Sequence, residues 1–329
     1  MAQELIQRLL RGDKRALARG ISIIERGGDE ASEILKAIGS HIGRAFTIGI
    51  TGPPGAGKST LVDKLTSVLR ANPRGQAGEP PLVSILAADP TSPFTGGAIL
   101  ADRVRMQRHY KDPGVFIRSM ATRGSHGGLP RTTRNAVKLL DAYGSDVIIV
   151  ETVGVGQAEL DIMDVVDTVV VVLVPEGGDS MQAMKAGLME IADVFVVNKA
   201  DRPGADAMMK DITAMLSWDT RERQWVPPVL SSRAHQGIGI EELWEAIEKH
   251  RKVSEDTGLL AVRRRDRRRH EFFRTISERA EQEAQRLVAT DGSLAALLKQ
   301  VESNSIDPYT AALIAVKQLS ARRRPRKTQ

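Results

Sequence analysis

Phe46-Thr47-Ile48-Gly49-Ile50-Thr51-Gly52-Pro53-Pro54-Gly55-Ala56-Gly57-Lys58-Ser59-Thr60 is an apolar run, then a glycine-rich turn, then the opening of a helix-forming segment. Residues 52–60 fit G-x-x-x-x-G-K-[ST]. Both flanks are those the pattern requires: a strand expected over 46–50 and a helix over 58–69. Glycines let successive backbone N–H groups curl around an oxyanion, and the helix N-terminus adds a favourable dipole. The spacing predicts that Gly52, Pro53, Pro54, Gly55, Ala56, Gly57, Lys58, Ser59 and Thr60 cradle nucleotide phosphates. Lys58 reaches the β- and γ-phosphates in this reading, and Ser59 ligates Mg²⁺.

Outward from this stretch, short β-branched runs alternate with segments of helical period. The runs are 46–50, 82–87, 115–117, 147–150, 168–174, 194–197 and 229–230. The helical candidates between them are 58–69, 133–142, 182–190, 207–216 and 240–250. Strands apolar throughout, separated by helices, predict an α/β fold of the P-loop NTPase type: a mostly parallel central sheet covered by helices on both faces. Helical extensions are expected at both ends, giving a helical region over 1–44, a nucleotide domain over 45–250 and a helical arm over 251–329. In the first, Leu5, Ile6, Leu9 and Leu10 form a stripe. Asp13 and Asp29 are expected to cap the next two helices, with Gly27-Gly28 closing the first of these. In the last, helices are expected over 271–290, 294–301 and 308–321. That region reads either as an arm for self-association or partner docking, or as a layer on its own domain.

Asn198-Lys199-Ala200-Asp201 ends the run 194–197 and fits N-K-x-D, a guanine-recognition pattern. The Asp201 carboxylate can accept from the guanine ring N–H and the exocyclic amine. Adenine lacks those donors, so the site is expected to reject ATP. Ser231, Ser232, Arg233 and Ala234 close the last run and resemble a loop whose backbone meets the guanine carbonyl. The run 147–150 ends in Glu151, with Gly154 three residues on, a spacing like D-x-x-G with Glu in place of Asp. Glu151 is expected to reach the metal shell or the attacking water, and Gly154 the γ-phosphate. Gln157 follows out of register with a Ras-like catalytic glutamine. Asp89 and Asp102 bracket a Pro- and Gly-rich stretch and are candidates for the Mg²⁺ shell with Ser59 and Glu151. Lys185, after Gly177-Gly178, is a candidate partner for Glu151 or another acid.

Composition narrows the field. The 329 residues include no cysteine, which excludes disulfides and thiolate metal sites and makes the cytoplasm the default compartment. No apolar run approaches the roughly 18–20 residues that span a bilayer, so no membrane role is expected. The net charge of +6 is concentrated near the C-terminal end, in 263–265, 267–269 and 322–324. Such runs read as solvated helix faces or tails rather than a nucleic-acid footprint.

The strings GPPGAGKST, AADPTSPFTGGAILADRVRM, ETVGVGQ, VPEGGDSMQAMKAGLMEIAD and VNKAD together resemble the methylmalonyl-CoA mutase-associated GTPases, within the GTPases that assist metallocofactor enzymes. The likeness covers nearly the whole chain in layout, with its motif core over 45–235. It implies hydrolysis of GTP to GDP, a homodimer joined through the C-terminal arm, and binding to adenosylcobalamin-dependent methylmalonyl-CoA mutase, whose cofactor loading is gated and whose inactivation is prevented. Other readings are a nickel-insertion GTPase for a different metalloenzyme, a P-loop kinase, and an RNA-binding protein with a basic arm. The absence of cysteine weighs against the first and N-K-x-D against the second.

Overall fold

The computed structural model describes residues 2–72, 79–89, 106–121, 131–152, 154, 158–175, 187–218 and 224–322. Seven strands form one sheet: β1 (Phe46–Thr51), β2 (Val83–Asp89), β3 (Val115–Ala121), β4 (Val147–Glu151), β5 (Thr168–Leu173), β6 (Val194–Asn198) and β7 (Val229–Ser232). Their order is β3-β2-β4-β1-β5-β6-β7, and every pairing is parallel. All seven expected runs are strands. Four of them, β1, β4, β5 and β6, are buried at every position, which is why they read as continuous apolar runs.

Helices cover both faces. On one lie α4 (Lys58–Ala71) and α7 (Ile240–Asp256), sharing a core with Phe46, Ile48, Ile50, Ile149 and Val172. On the other lie α5 (Arg131–Tyr143) and α6 (Ala205–Ser217), against Ile148, Val150, Val171 and Phe195. The N-terminal helices α1 (Ala2–Leu10), α2 (Lys14–Arg26) and α3 (Asp29–Ala37) pack over α5 and contribute Leu9, Leu17, Ile21 and Ile34 to the same core. Asp13 caps α2 as expected, accepting from the N–H groups of Arg15 and Ala16 at 2.8 and 3.1 Å. Asp29 is not a cap. Gly28, at φ 87°, holds that position, and Asp29 is the first helical residue, where its charge suits the helix dipole.

The chain divides into two compact units, 1–264 and 265–329. The long helix α8 (Leu259–Thr290) crosses that boundary. Its first turns show that the arginine run is not wholly solvated. Arg264 forks onto buried Asp167 at 3.0 and 2.6 Å and donates to the carbonyls of Gly43 and Ala45. Arg263 meets buried Asp193 at 3.0 Å, and so does His250 at 3.2 Å. Burial alone would raise the Asp193 carboxyl; the hydrogen bond and charge of His250, with Arg263, outweigh it and hold the group below the usual carboxylate range. Leaving a buried acid uncompensated is expensive. Arg264→Ala is expected to cost about 3 kcal/mol of unfolding free energy. Urea denaturation measures it, and an unchanged midpoint would remove this pair from the stability account. In the second unit, α9 (Gly292–Glu302) and α10 (Pro308–Arg322) pack together, burying Leu294 and Ala311.

Candidate nucleotide site

Parallel α/β sheets bind ligands at the carboxyl ends of their strands. Here those ends carry the phosphate loop on β1, Glu151 on β4 and Asn198 on β6. Three glycines of this site are dictated by approach distance. A Cβ on Gly52 would lie 2.0 Å from the Val172 carbonyl oxygen on β5. One on Gly57, which opens α4 at φ 91°, would lie 2.3 Å from Asn198 Nδ2. One on Gly154, at φ 89°, would lie 2.3 Å from the Gly52 oxygen and 2.5 Å from Lys58 Nζ. Gly154 is thus seated directly on the phosphate loop, and only glycine fits there.

Lys58 is buried, its ammonium donating to the carbonyls of Gly52 at 2.8 Å and Pro53 at 3.0 Å. The first turn of α4 holds no acidic residue to compete for the positive end of its dipole. Ser59 Oγ donates to Glu151 Oε1 at 2.6 Å, and both side chains are buried. A hydroxyl and a carboxylate side by side are hard oxygen donors of the kind Mg²⁺ takes, the rest of its shell usually being phosphate and water. Among the described residues no group of three or more His, Cys, Asp or Glu is arranged to hold a metal by protein ligands alone. Asp89 ends β2, paired in register with Ala121, and its side chain lies outside the described residues. Asp102, Gln157 and Lys185 lie outside them as well.

Asn198 ties the loops after β6 and β7 to the phosphate loop. Its Nδ2 donates to the Ala56 carbonyl at 2.7 Å; its Oδ1 accepts from Ser232 Oγ at 3.0 Å and from the Ala234 N–H at 3.1 Å. The following turn holds Lys199 at φ 57°, with Ala200 N–H donating to the Ser232 carbonyl at 3.0 Å. Asp201 is exposed at its end. The Ser232 hydroxyl and the Arg233 N–H, which donates to the Ile238 carbonyl, are therefore engaged within the protein. Ser231 and the Arg233 side chain are exposed.

Sequence reasoning missed Asp63 on α4. Asp63 is buried, pairs with Arg108, and accepts through its carbonyl from His109 Nε2 at 3.0 Å. Its signal was an acid among the apolar positions Leu61, Val62 and Leu65. Burial, and then the charge of Arg108, push His109 below its ordinary range.

A phosphate loop between β1 and α4, an acid on the adjacent strand touching the loop's serine, and an N-K-x-D turn hydrogen-bonded to the loop are the features of the P-loop NTPase fold. The model of the family described as methylmalonyl Co-A mutase-associated GTPase MeaB matches residues 17–289, and the chain belongs to that family. It is similar to a putative GTPase of Pyrococcus abyssi, 49% identical over 97% of each chain. It is also similar to the mitochondrial methylmalonic aciduria type A homolog of Mus musculus, 30% identical over 95% of this chain and 78% of the relative. Among solved structures, a protein called LAO/AO transport system kinase superposes with a TM-score of 0.67, at 27% identity over 97% of each chain.

Proposed function

We propose that this protein binds GTP with Mg²⁺, hydrolyses it to GDP and phosphate, and serves as a chaperone for adenosylcobalamin-dependent methylmalonyl-CoA mutase in the cytoplasm, governing cofactor loading and guarding against inactivation. The observation that carries the GTPase part is the three-way bond of Asn198, which sets the N-K-x-D turn at a fixed distance from the phosphate loop. The loop amides and Lys58 bind the phosphates, and Asp201 reads the base. Ser59 and Glu151, joined by Asp89 and Asp102, would hold Mg²⁺, which would supply charge neutralisation at the phosphates. Glu151 orients the attacking water, with Gly154 at the γ-phosphate and Lys185 as a catalytic partner that exchanges acids. Family membership and the likeness to the methylmalonic aciduria homolog support the mutase as partner.

The C-terminal arm joins two copies. Phe272, Phe273, Ile276, Tyr309, Leu313 and Val316 are all exposed along it, with Phe272 at 61% and Tyr309 at 75%. Large apolar side chains left exposed at several positions of one arm support its use as an association surface. No helix among the described residues is long and apolar enough to cross a membrane.

The name of the solved relative raises a kinase reading, against which the N-K-x-D turn stands. One experiment separates the readings: phosphate release from GTP and ATP, alone and with purified mutase. GTP turnover is expected to be slow alone and to rise at least about tenfold with the mutase, because partner binding can supply or order a transition-state stabiliser. ATP turnover equal to that of GTP would end the guanine assignment. GTP turnover indifferent to the mutase would end the partner assignment and leave the GTPase standing.

A further inference from the structure

Two hydroxyls buried beside the phosphate loop take no part in the chemistry above. Thr51 is the last residue of β1, immediately before Gly52, and Thr152 immediately follows Glu151. Their exposures are 0% and 2%. The β1–β4 register pairs Ile50 with Glu151, and Thr152 donates its N–H to the Ile50 carbonyl at 3.0 Å. At the next step the ladder is continued by side chains: Thr152 Oγ1 donates to Thr51 Oγ1 at 2.9 Å.

Side chains alternate between the faces of a strand. Ile50 and Glu151 therefore share the face covered by α4, where Glu151 meets Ser59. Thr51 and Thr152 share the opposite face with Ile148, Val150 and Val171. The strand neighbours on that face are apolar. A pair of valines would fill nearly the same volume without desolvating two hydroxyls, so stability gives no reason for the pair. What the bridge fixes is relative position. It joins the residue that launches the phosphate loop to the residue that follows the acid. Two residues later Gly154 lies against Gly52 O and Lys58 Nζ, leaving no slack in that direction.

We propose that the Thr51–Thr152 hydroxyl bridge is a positioning pair for hydrolysis, holding Glu151 and Gly154 in place against the phosphate loop and acting on turnover rather than on nucleotide affinity. It rests on the GTPase reading given above. Affinity comes in that reading from the loop amides, Lys58 and the base turn, whereas the hydroxyl bridge joins Thr51 to Thr152. Rate depends on sub-ångström placement of groups around the γ-phosphate.

The test uses the full chain carrying Thr152→Val, Thr152→Ser, Thr51→Val or both valines, with GTP turnover at saturating nucleotide and GDP affinity as readouts. Thr152→Val is expected to lower turnover by about tenfold to a hundredfold. GDP affinity is expected to stay within about threefold of wild type, which also shows that the variant is folded. Thr152→Ser, which keeps the hydroxyl, is expected to retain at least about half of the wild-type turnover. The double variant is expected to match the single valines, since one bond is lost in each case. Wild-type turnover in Thr152→Val, equal losses of turnover and GDP affinity, a serine variant no better than valine, or multiplicative losses in the double variant would each overturn the proposal. Failure of the underlying reading looks different: the wild-type chain itself would then bind GDP weakly or turn over no GTP.

Discussion

Lys58→Ala is expected to lower GTP turnover by about a thousandfold, the scale seen when a preorganised donor aimed at developing charge is removed. The structure explains why so much rests on one ammonium. Lys58 is buried and held by the carbonyls of Gly52 and Pro53, so it is aimed before any nucleotide arrives. Gly154 lies against the same Nζ. The fold is expected to survive, because Leu61, Leu65 and Leu69 anchor α4 in the core independently of Lys58. Phosphate release, GDP affinity and thermal unfolding together decide the matter. Turnover within about tenfold of wild type in a folded variant would reduce residues 52–60 to a structural turn.

Asp201→Asn is expected to move preference from GTP to xanthosine triphosphate by at least about a hundredfold in relative affinity. Xanthine presents an acceptor where guanine has its amine, and an asparagine amide can donate to it while a carboxylate cannot. The turn that carries Asp201 is fixed by the Lys199 backbone at φ 57°, by the Ala200–Ser232 backbone bond and by Asn198, so the substitution changes chemistry without moving the loop. Competition between the two nucleotides reads the outcome directly. Unchanged preference for GTP would remove Asp201 from base recognition, whatever the result at Lys58.

The strands and the phosphate loop were legible because their determinants are local. A fully buried parallel strand is apolar at successive positions, and the loop needs its glycines and lysine contiguous in sequence. The same locality explains why the Asp13 cap was read and the Asp29 cap misread. Both acids precede apolar stripes, but Gly28 adopts the cap conformation without a side-chain bond, shifting the helix start by one residue. The long arm helix was expected only from 271, because an arginine run looks solvated. In the fold two of those arginines are neutralised by Asp167 and Asp193, about 70 to 100 residues away in sequence, at the lower ends of β5 and β6. The extra turns tie the root of α8 to the first compact unit, which ends at Arg264.

The sequence alone determined which chemical groups this protein possesses: a phosphate loop, an acid with glycine three residues on, an N-K-x-D turn, and a C-terminal region that is helical over its described residues. Each is written in consecutive residues whose backbone preferences and side chains act over a few ångströms. Only the tertiary structure decided which of those groups meet. Placing β4 beside β1 brings Glu151 to Ser59, Gly154 to Lys58 and Thr152 to Thr51, across separations of about a hundred residues. Placing β6 between β5 and β7 lets one asparagine hold the phosphate loop and the last loop together. Strand order follows from how a whole set of apolar faces is buried at once, and no single segment carries that information.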